Sequence, residues 1–168
     1  HDKEYLSRVP KATAKKNTAW WDPSQLSGFD ENSRHRVKRD PRDPAKFLLV
    51  NDPSGEAYLP LLQSSDPMNP QWAGQESVAF ADNWSVGLSF FHNLFAREHN
   101  LFVDAFRERA TQTPEADSGL RNPATPSRIV RYKDVTADEL FEAARLVVAA
   151  EIANAPPAAP SLASAKAK

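Results

Sequence analysis

The sequence predicts a mainly α fold with long loops and a small β-hairpin, and three observations carry that reading. The stretch NWSVGLSFFHNLFAREHNLFVDAFRER, Asn83 to Arg109, places Leu88, Phe91, Phe95, Phe102 and Phe106 at helical spacing. Phe90, Leu94 and Leu101 form a second apolar stripe beside them. The stretch VTADELFEAARLVVAAEIA, residues 135–153, gives a second helix with Leu140, Ala144 and Val147 on one face and Phe141, Val148 and Ile152 on another. Fourteen prolines against five glycines limit what lies between, because proline continues neither helices nor central strands.

Taken in order, residues 1–19 are polar and basic, with Lys11, Lys15 and Lys16 close together, and read as a solvated loop. A Trp pair and DENSRHRVKR follow, the latter a short exposed helix. FLLV (47–50) and EAYLP (56–60) flank NDPSG, a turn signal, and predict the hairpin. Residues 63–79 read as irregular loop. Asn83 is the expected N-cap of the long helix, which should run to about Ala110. TQTPEADSGLRNPATPS (111–127) is a loop, and Thr136 with Glu139 forms a capping box for the second helix. From Asn154 the chain becomes an Ala/Pro/Ser/Lys tail, 154–168, expected to be disordered because it has little to bury.

The 168 residues suit roughly one domain. A net charge of −1 gives no footprint for nucleic acid or an anionic membrane. No apolar run approaches the roughly 20 residues of a membrane span. The absence of cysteine excludes disulfides and thiolate metal sites. The chain opens on His1 and holds one methionine, Met68, so an internal segment of a longer protein is expected.

Two stretches carry polar groups that could do chemistry. His92 and His99 share one face of the long helix but lie roughly 10 Å apart along its axis at 1.5 Å per residue, too far to hold one metal ion. The i, i+4 spacing of a zinc-protease helix is absent. These groups read as satisfied fittings of a packed helix, with Arg97 and Glu98 paired inside. In TAWWDPS, Thr18, Trp20, Asp22 and Ser24 alternate, so in extended chain they share a face. Two hydroxyls, a carboxylate and a backbone carbonyl are hard oxygen donors suited to calcium. An Asp-Pro-Ser turn after two core tryptophans is the other reading, and one acid is a weak charge for calcium.

NTAWWDPSQLSGFDENSRHRVKR resembles the segment of the haem peroxidase–cyclooxygenase superfamily that reads T-x-W-W-D-x-S-Q-x-Y-G, with Ser27 at the tyrosine position. SVGLSFFHNLFAREHNLFVDAF is similar to that superfamily's long helix with its H-x-L-F-x-R-E-H-N core, and DELFEAARLVVAAEIA resembles the helix that follows. Asn83-Trp84 before the long helix resemble the fatty-acid α-dioxygenase branch. The resemblance covers roughly residues 17–153 and implies a partial haem-peroxidase-like helical core. It implies haem b and calcium as cofactors, a fatty acid or peroxide as substrate, and oxidation by peroxide or dioxygen. It assigns calcium to Thr18, Asp22 and Ser24 through side-chain oxygens and to Trp20 through its carbonyl. It places Asn83 and Trp84 nearest the haem.

The resemblance also implies residues this sequence does not supply. Only His1-Asp2 could stand for the distal histidine and its neighbouring acid, and they lie far closer to Thr18 than the family pattern has them. The proximal histidine and the radical tyrosine belong beyond the second helix, where the match breaks at Asn154. The expectation is therefore a segment (1–153) of a haem-dependent oxidoreductase, inactive alone, with a Phe-rich helix poorly covered. The alternative is a truncated, non-catalytic homologue serving as a calcium-binding or interaction module.

Overall fold

The computed structural model describes residues 22–66, 72–81 and 85–154. Two short helices open it, α1 (Ser24–Ser27) and α2 (Glu31–Arg34). Gly28 makes the corner between them at φ 77°, and a Cβ there would meet Ser33 Oγ at 2.8 Å and the Arg34 nitrogen at 2.9 Å, so only glycine fits. Asp30 caps α2, its carboxylate accepting from the Ser33 N–H at 2.7 Å. The exposed helix expected over 30–39 is thus a single turn.

Two hairpins follow. In the first, β1 (Arg39–Asp40) pairs antiparallel with β2 (Asp43–Phe47), Arg39 opposite Phe47 and Asp40 opposite Asp43. The Asp40 carboxylate accepts from the Arg42 N–H at 2.9 Å and closes the turn. In the second, β3 (Val50–Asn51) pairs with β4 (Ala57–Tyr58). Asp52 organises that turn by accepting from the N–H groups of Ser54 at 2.8 Å and Glu56 at 3.0 Å. This is the hairpin NDPSG predicts, but shorter: Phe47 belongs to β2, and Leu48 and Leu49 link the two hairpins.

Helix α3 runs from Val86 to Gln112 and helix α4 from Ala137 to Asn154. Ser85 caps α3 by accepting from the Leu88 N–H at 3.2 Å, so the helix starts two residues later than an Asn83 cap would place it. The capping box of α4 forms as expected: Thr136 Oγ1 accepts from the Glu139 N–H at 3.2 Å, and the Glu139 carboxylate accepts from the Thr136 N–H at 2.9 Å. The loop between the helices closes on itself through a bridge of Asp117 to Arg131 and presses Tyr132 against Phe106, ring centroids 4.8 Å apart.

Strand β2 is the hub, packed against both α3 and α4. Its period-2 pattern buries Ala45 and Phe47 completely or nearly so. Phe47 lies 5.2 Å from the Phe141 ring of α4 and 4.7 Å from the His99 ring of α3. One apolar cluster gathers Leu26, Leu62, Val78, Ala96 and Phe141 around Phe47. A second holds Ala45, Val103, Phe106, Leu140 and Ala144. The two clusters take Phe106 and, partly buried, Phe95 and Phe102 of α3, while Phe90 stays 65% exposed, Leu101 60% and Phe91 49%. Full burial of one such side chain is worth about 1.5–3 kcal/mol, and here that gain is forgone.

Candidate functional site

The polar residues of α3 are joints. Asn93, Arg97, Asn100, Asp104 and Arg107 recur every three or four residues and so lie along one face of the helix. Asn93 Oδ1 accepts from the Leu59 N–H at 2.8 Å. Asn100 takes both backbone groups of Phe47, Oδ1 accepting from its N–H at 2.8 Å and Nδ2 donating to its carbonyl at 2.9 Å. Arg97 Nε donates to the Ala57 carbonyl at 2.8 Å, and Arg107 forks onto the Asp43 carboxylate at 3.1 and 3.0 Å. Lys46 of β2 pairs with Asp104. Asn100 and Arg97 thereby satisfy strand backbone groups that would otherwise be open, and the Arg107 and Asp104 ion pairs add side-chain links to β2.

Arg97 does not pair with Glu98. Successive helix side chains point about 100° apart, and Arg97 instead meets Glu56 at 3.2 Å with its guanidinium over the Tyr58 ring. Glu98 lies towards α4, where its charge adds to burial in holding the Glu151 carboxyl above its ordinary value.

The two histidines do separate things. His99 is 1% exposed, with Nε2 2.9 Å from the Ala45 carbonyl. Burial pushes its pKa down to about 4; the hydrogen bond to Ala45 works the other way and the charge of Arg39 adds to the depression. It is a neutral core residue at pH 7. His92 places Nδ1 3.1 Å from Glu76 Oε2. Ser89 and Asn93 also donate to Glu76, Asn93 at 2.9 Å. Burial pulls the Glu76 carboxyl up, but these three hydrogen bonds outweigh it and hold it below the ordinary range. His92 Nε2 is buried without a partner among the described residues.

Of the calcium set, Thr18 and Trp20 lie outside the described residues, as do Asn83 and Trp84. Asp22 and Ser24 are brought together. Asp22 Oδ1 accepts from the Ser24 N–H at 3.0 Å and from its hydroxyl at 2.6 Å, so the Asp-Pro-Ser turn forms and converges two hard oxygens. Arg145 of α4 reaches the same pair, its guanidinium 3.1 Å from Ser24 Oγ and 3.4 Å from Asp22 Oδ1. Glu142, one turn earlier, holds the other arm of Arg145 at 3.2 Å and pairs with Arg34 of α2 at 3.0 Å. Arg145 lies 121 residues from Ser24. No local pattern points to it; the signal would have been its position on α4 beside the apolar Ala144 and Val148, a charge on a packed face.

Residues 2–155 match the animal haem peroxidase family. The chain belongs to that family. It is also similar to Alpha-dioxygenase 2 of Arabidopsis thaliana, 28% identical over 137 residues, which is 82% of this chain and 16% of the relative. The chain therefore spans about a sixth of the length of the curated relative it matches. No solved structure matches it.

An animal haem peroxidase implies haem, and the described histidines do not fit it as iron ligands. His99 is spent on Ala45 and His92 is sealed at 3% exposure, while His35 pairs with Glu31 on the surface. A cavity of about 440 Å³ lies between the 120–130 loop and α4, lined by Leu120, Val130, Ala143 and Leu146, and holds no histidine. Calcium fares better. The Asp22 and Ser24 oxygens are hard donors already converged, and they already attract a cation in Arg145. Among the described residues no group of three His, Asp or Glu side chains forms a metal cluster. No helix among the described residues is long and apolar enough to cross a membrane.

Proposed function

We propose that this chain is part of a haem-dependent oxidoreductase of the peroxidase or fatty-acid dioxygenase type, acting on a fatty acid or a peroxide. The family match over residues 2–155 carries the reading. Within such an enzyme, residues 1–153 serve as scaffold and calcium loop, and haem b is ligated by histidines that are not among these residues. Thr18, Asp22 and Ser24 give calcium side-chain oxygens, and Trp20 gives its carbonyl. Asn83 and Trp84, at the N-terminal end of α3, are the positions nearest the haem. Alone, the chain is inactive, since the polar residues of α3 are spent on the hairpins.

Haem titration of the 168-residue chain tests this. The expected absorption spectrum is that of unligated or nonspecifically bound haem, with no peroxide-dependent oxidation of a phenolic dye. A sharp histidine-ligated Soret band that His1→Ala abolishes would overturn the assignment of the ligands to residues elsewhere. A second reading, a non-catalytic calcium-binding module, is favoured by the convergence of Asp22 and Ser24 alone. It requires calcium binding that Asp22→Asn removes.

A further inference from the structure

The cavity of about 440 Å³ between the 120–130 loop and α4 is open, and the proposed function does not use it. Its floor is apolar: Leu120, Val130, Ala143 and Leu146, the last 69% exposed. Its α4 wall carries Asp138, Glu139 and Glu142. The Asp138 side chain stays 85% exposed beside Arg39, and Glu139 spends one oxygen, Oε2, on the Thr136 cap. Arg121, the guanidinium in the lining, is already forked onto Asp117 at 2.7 and 2.6 Å. The cleft thus sets apolar surface under a negative rim, and the residues that fit it are apolar and basic.

The loop beside the cleft displays such a pair. Val130 is held down, its carbonyl accepting from the Ser118 N–H at 2.9 Å and from the Ser118 hydroxyl at 2.7 Å. Ile129 before it is left 59% exposed, turned away from the cleft of its own chain. Arg131 and Lys133 are both occupied by Glu115 at 2.7 Å. The Arg128 side chain has no ion pair among the described residues. An apolar–basic projection and an apolar–acidic cleft on one face are what a two-fold contact needs, since the same patch must complement itself.

We propose that this face is a contact surface for a second copy of the chain, Arg128 and Ile129 of each copy entering the cleft of the other. Ile129 covers Leu120 and Leu146 of the opposite copy, and Arg128 meets Asp138 at the rim. Each contact occurs twice, once on either side of the two-fold axis. Exposed apolar area is thereby removed from water, and the charges fix the register and make the association sensitive to salt.

Sedimentation equilibrium of the 168-residue chain over a range of concentrations tests this. The wild-type chain should show a monomer–dimer equilibrium that weakens as salt rises. Ile129→Asp sets a carboxylate against the acidic rim and should weaken the dimer by about tenfold or more. Arg128→Glu and Asp138→Arg should each weaken it as well. An equal mixture of those two variants should recover it, because opposite charges then meet at both junctions of the mixed pair. Thermal midpoints of Ile129→Asp and Arg128→Glu should match wild type, which separates loss of contact from loss of fold. A chain that is monomeric at every concentration overturns the proposal, as does a dimer that Ile129→Asp leaves intact. A dimer abolished by Phe90→Ser and untouched by Ile129→Asp overturns it by placing the contact on α3. A mixture that stays monomeric while both of its variants are folded overturns the reciprocal arrangement.

Discussion

The inner and outer sides of α3 are built on opposite terms. On the inner side, Asn100 takes the Phe47 backbone of β2, Arg97 the Ala57 carbonyl of β4 and Asn93 the Leu59 N–H just past it, while Arg107 pairs with the Asp43 carboxylate and His99 closes on the Ala45 carbonyl. On the outer side, Val86, Phe90, Leu94 and Leu101 lie between 37% and 77% exposed. A usual amphipathic helix turns its apolar stripe inward and its charges to water. Here polar side chains face the hairpins and several of the largest apolar ones do not. The difference teaches that residue chemistry alone does not say which way a helix faces. Among the described residues neither two-stranded sheet has a further strand beside it, and the helix supplies an amide to the Phe47 backbone of β2 and a guanidinium group to the Ala57 carbonyl of β4 in place of one.

The comparison breaks most visibly at Asn100. Asn100→Ala leaves the Phe47 N–H and carbonyl without partners beside a residue that is 1% exposed. At about 1–3 kcal/mol for each such group, the chain should lose about 3–4 kcal/mol of stability in a urea titration. A loss below about 1 kcal/mol would mean that water reaches the strand.

A second break uses pH. His99 has a folded-state pKa of about 4 against an ordinary 6.5. The unfolded chain therefore binds its proton first. The stability from keeping His99 neutral is complete above pH 6.5, declines as pH falls from there towards 4, and is flat below. Its full size is on the order of 3 kcal/mol. Glu76 and Asp43, held below their ordinary values of 4.5 and 3.8, lose their own contributions only at lower pH. Urea midpoints at pH 7.5 and 5 should fall in the wild-type chain and stay level in a variant without the titrating ring, His99→Gln. An equal slope in both would remove His99 as the cause.

The outer face should respond least. Phe90→Ser should shift stability by no more than about 0.5 kcal/mol, because little of the ring is buried. It should also reduce self-association seen by light scattering, since exposed apolar patches drive it. A large destabilisation would show that the ring is covered in solution.

What the sequence made legible follows from range. The capping box of Thr136 and Glu139 is a matter of three residues and reads directly, as does the Asp52 turn of the second hairpin. The two long helices announce themselves by period. The β1–β2 hairpin does not: Pro41 and Pro44 sit within it, and Asp43–Phe47 is buried by helices from elsewhere in the chain. The pairing of Arg97 with Glu56 rather than Glu98 required the position of β4. Of the calcium set, Asp22 and Ser24 were readable as neighbours, while Arg145 and Glu142 come from the far end of the chain. The family was legible because three motifs fall in order, a signal that needs no tertiary contact.

The claim that α3 spends its polar residues as joints is tested most directly by hydrogen exchange at a single amide, that of Phe47. In the wild-type chain this N–H, donated to Asn100 Oδ1 at 2.8 Å, should exchange slowly. In Asn100→Ala it should exchange at a rate near that of an open loop, while the Leu59 amide, held by Asn93, keeps its protection. Unchanged protection at Phe47 in Asn100→Ala would contradict the account and return Asn100, with its neighbours on that face, to the list of residues free for chemistry.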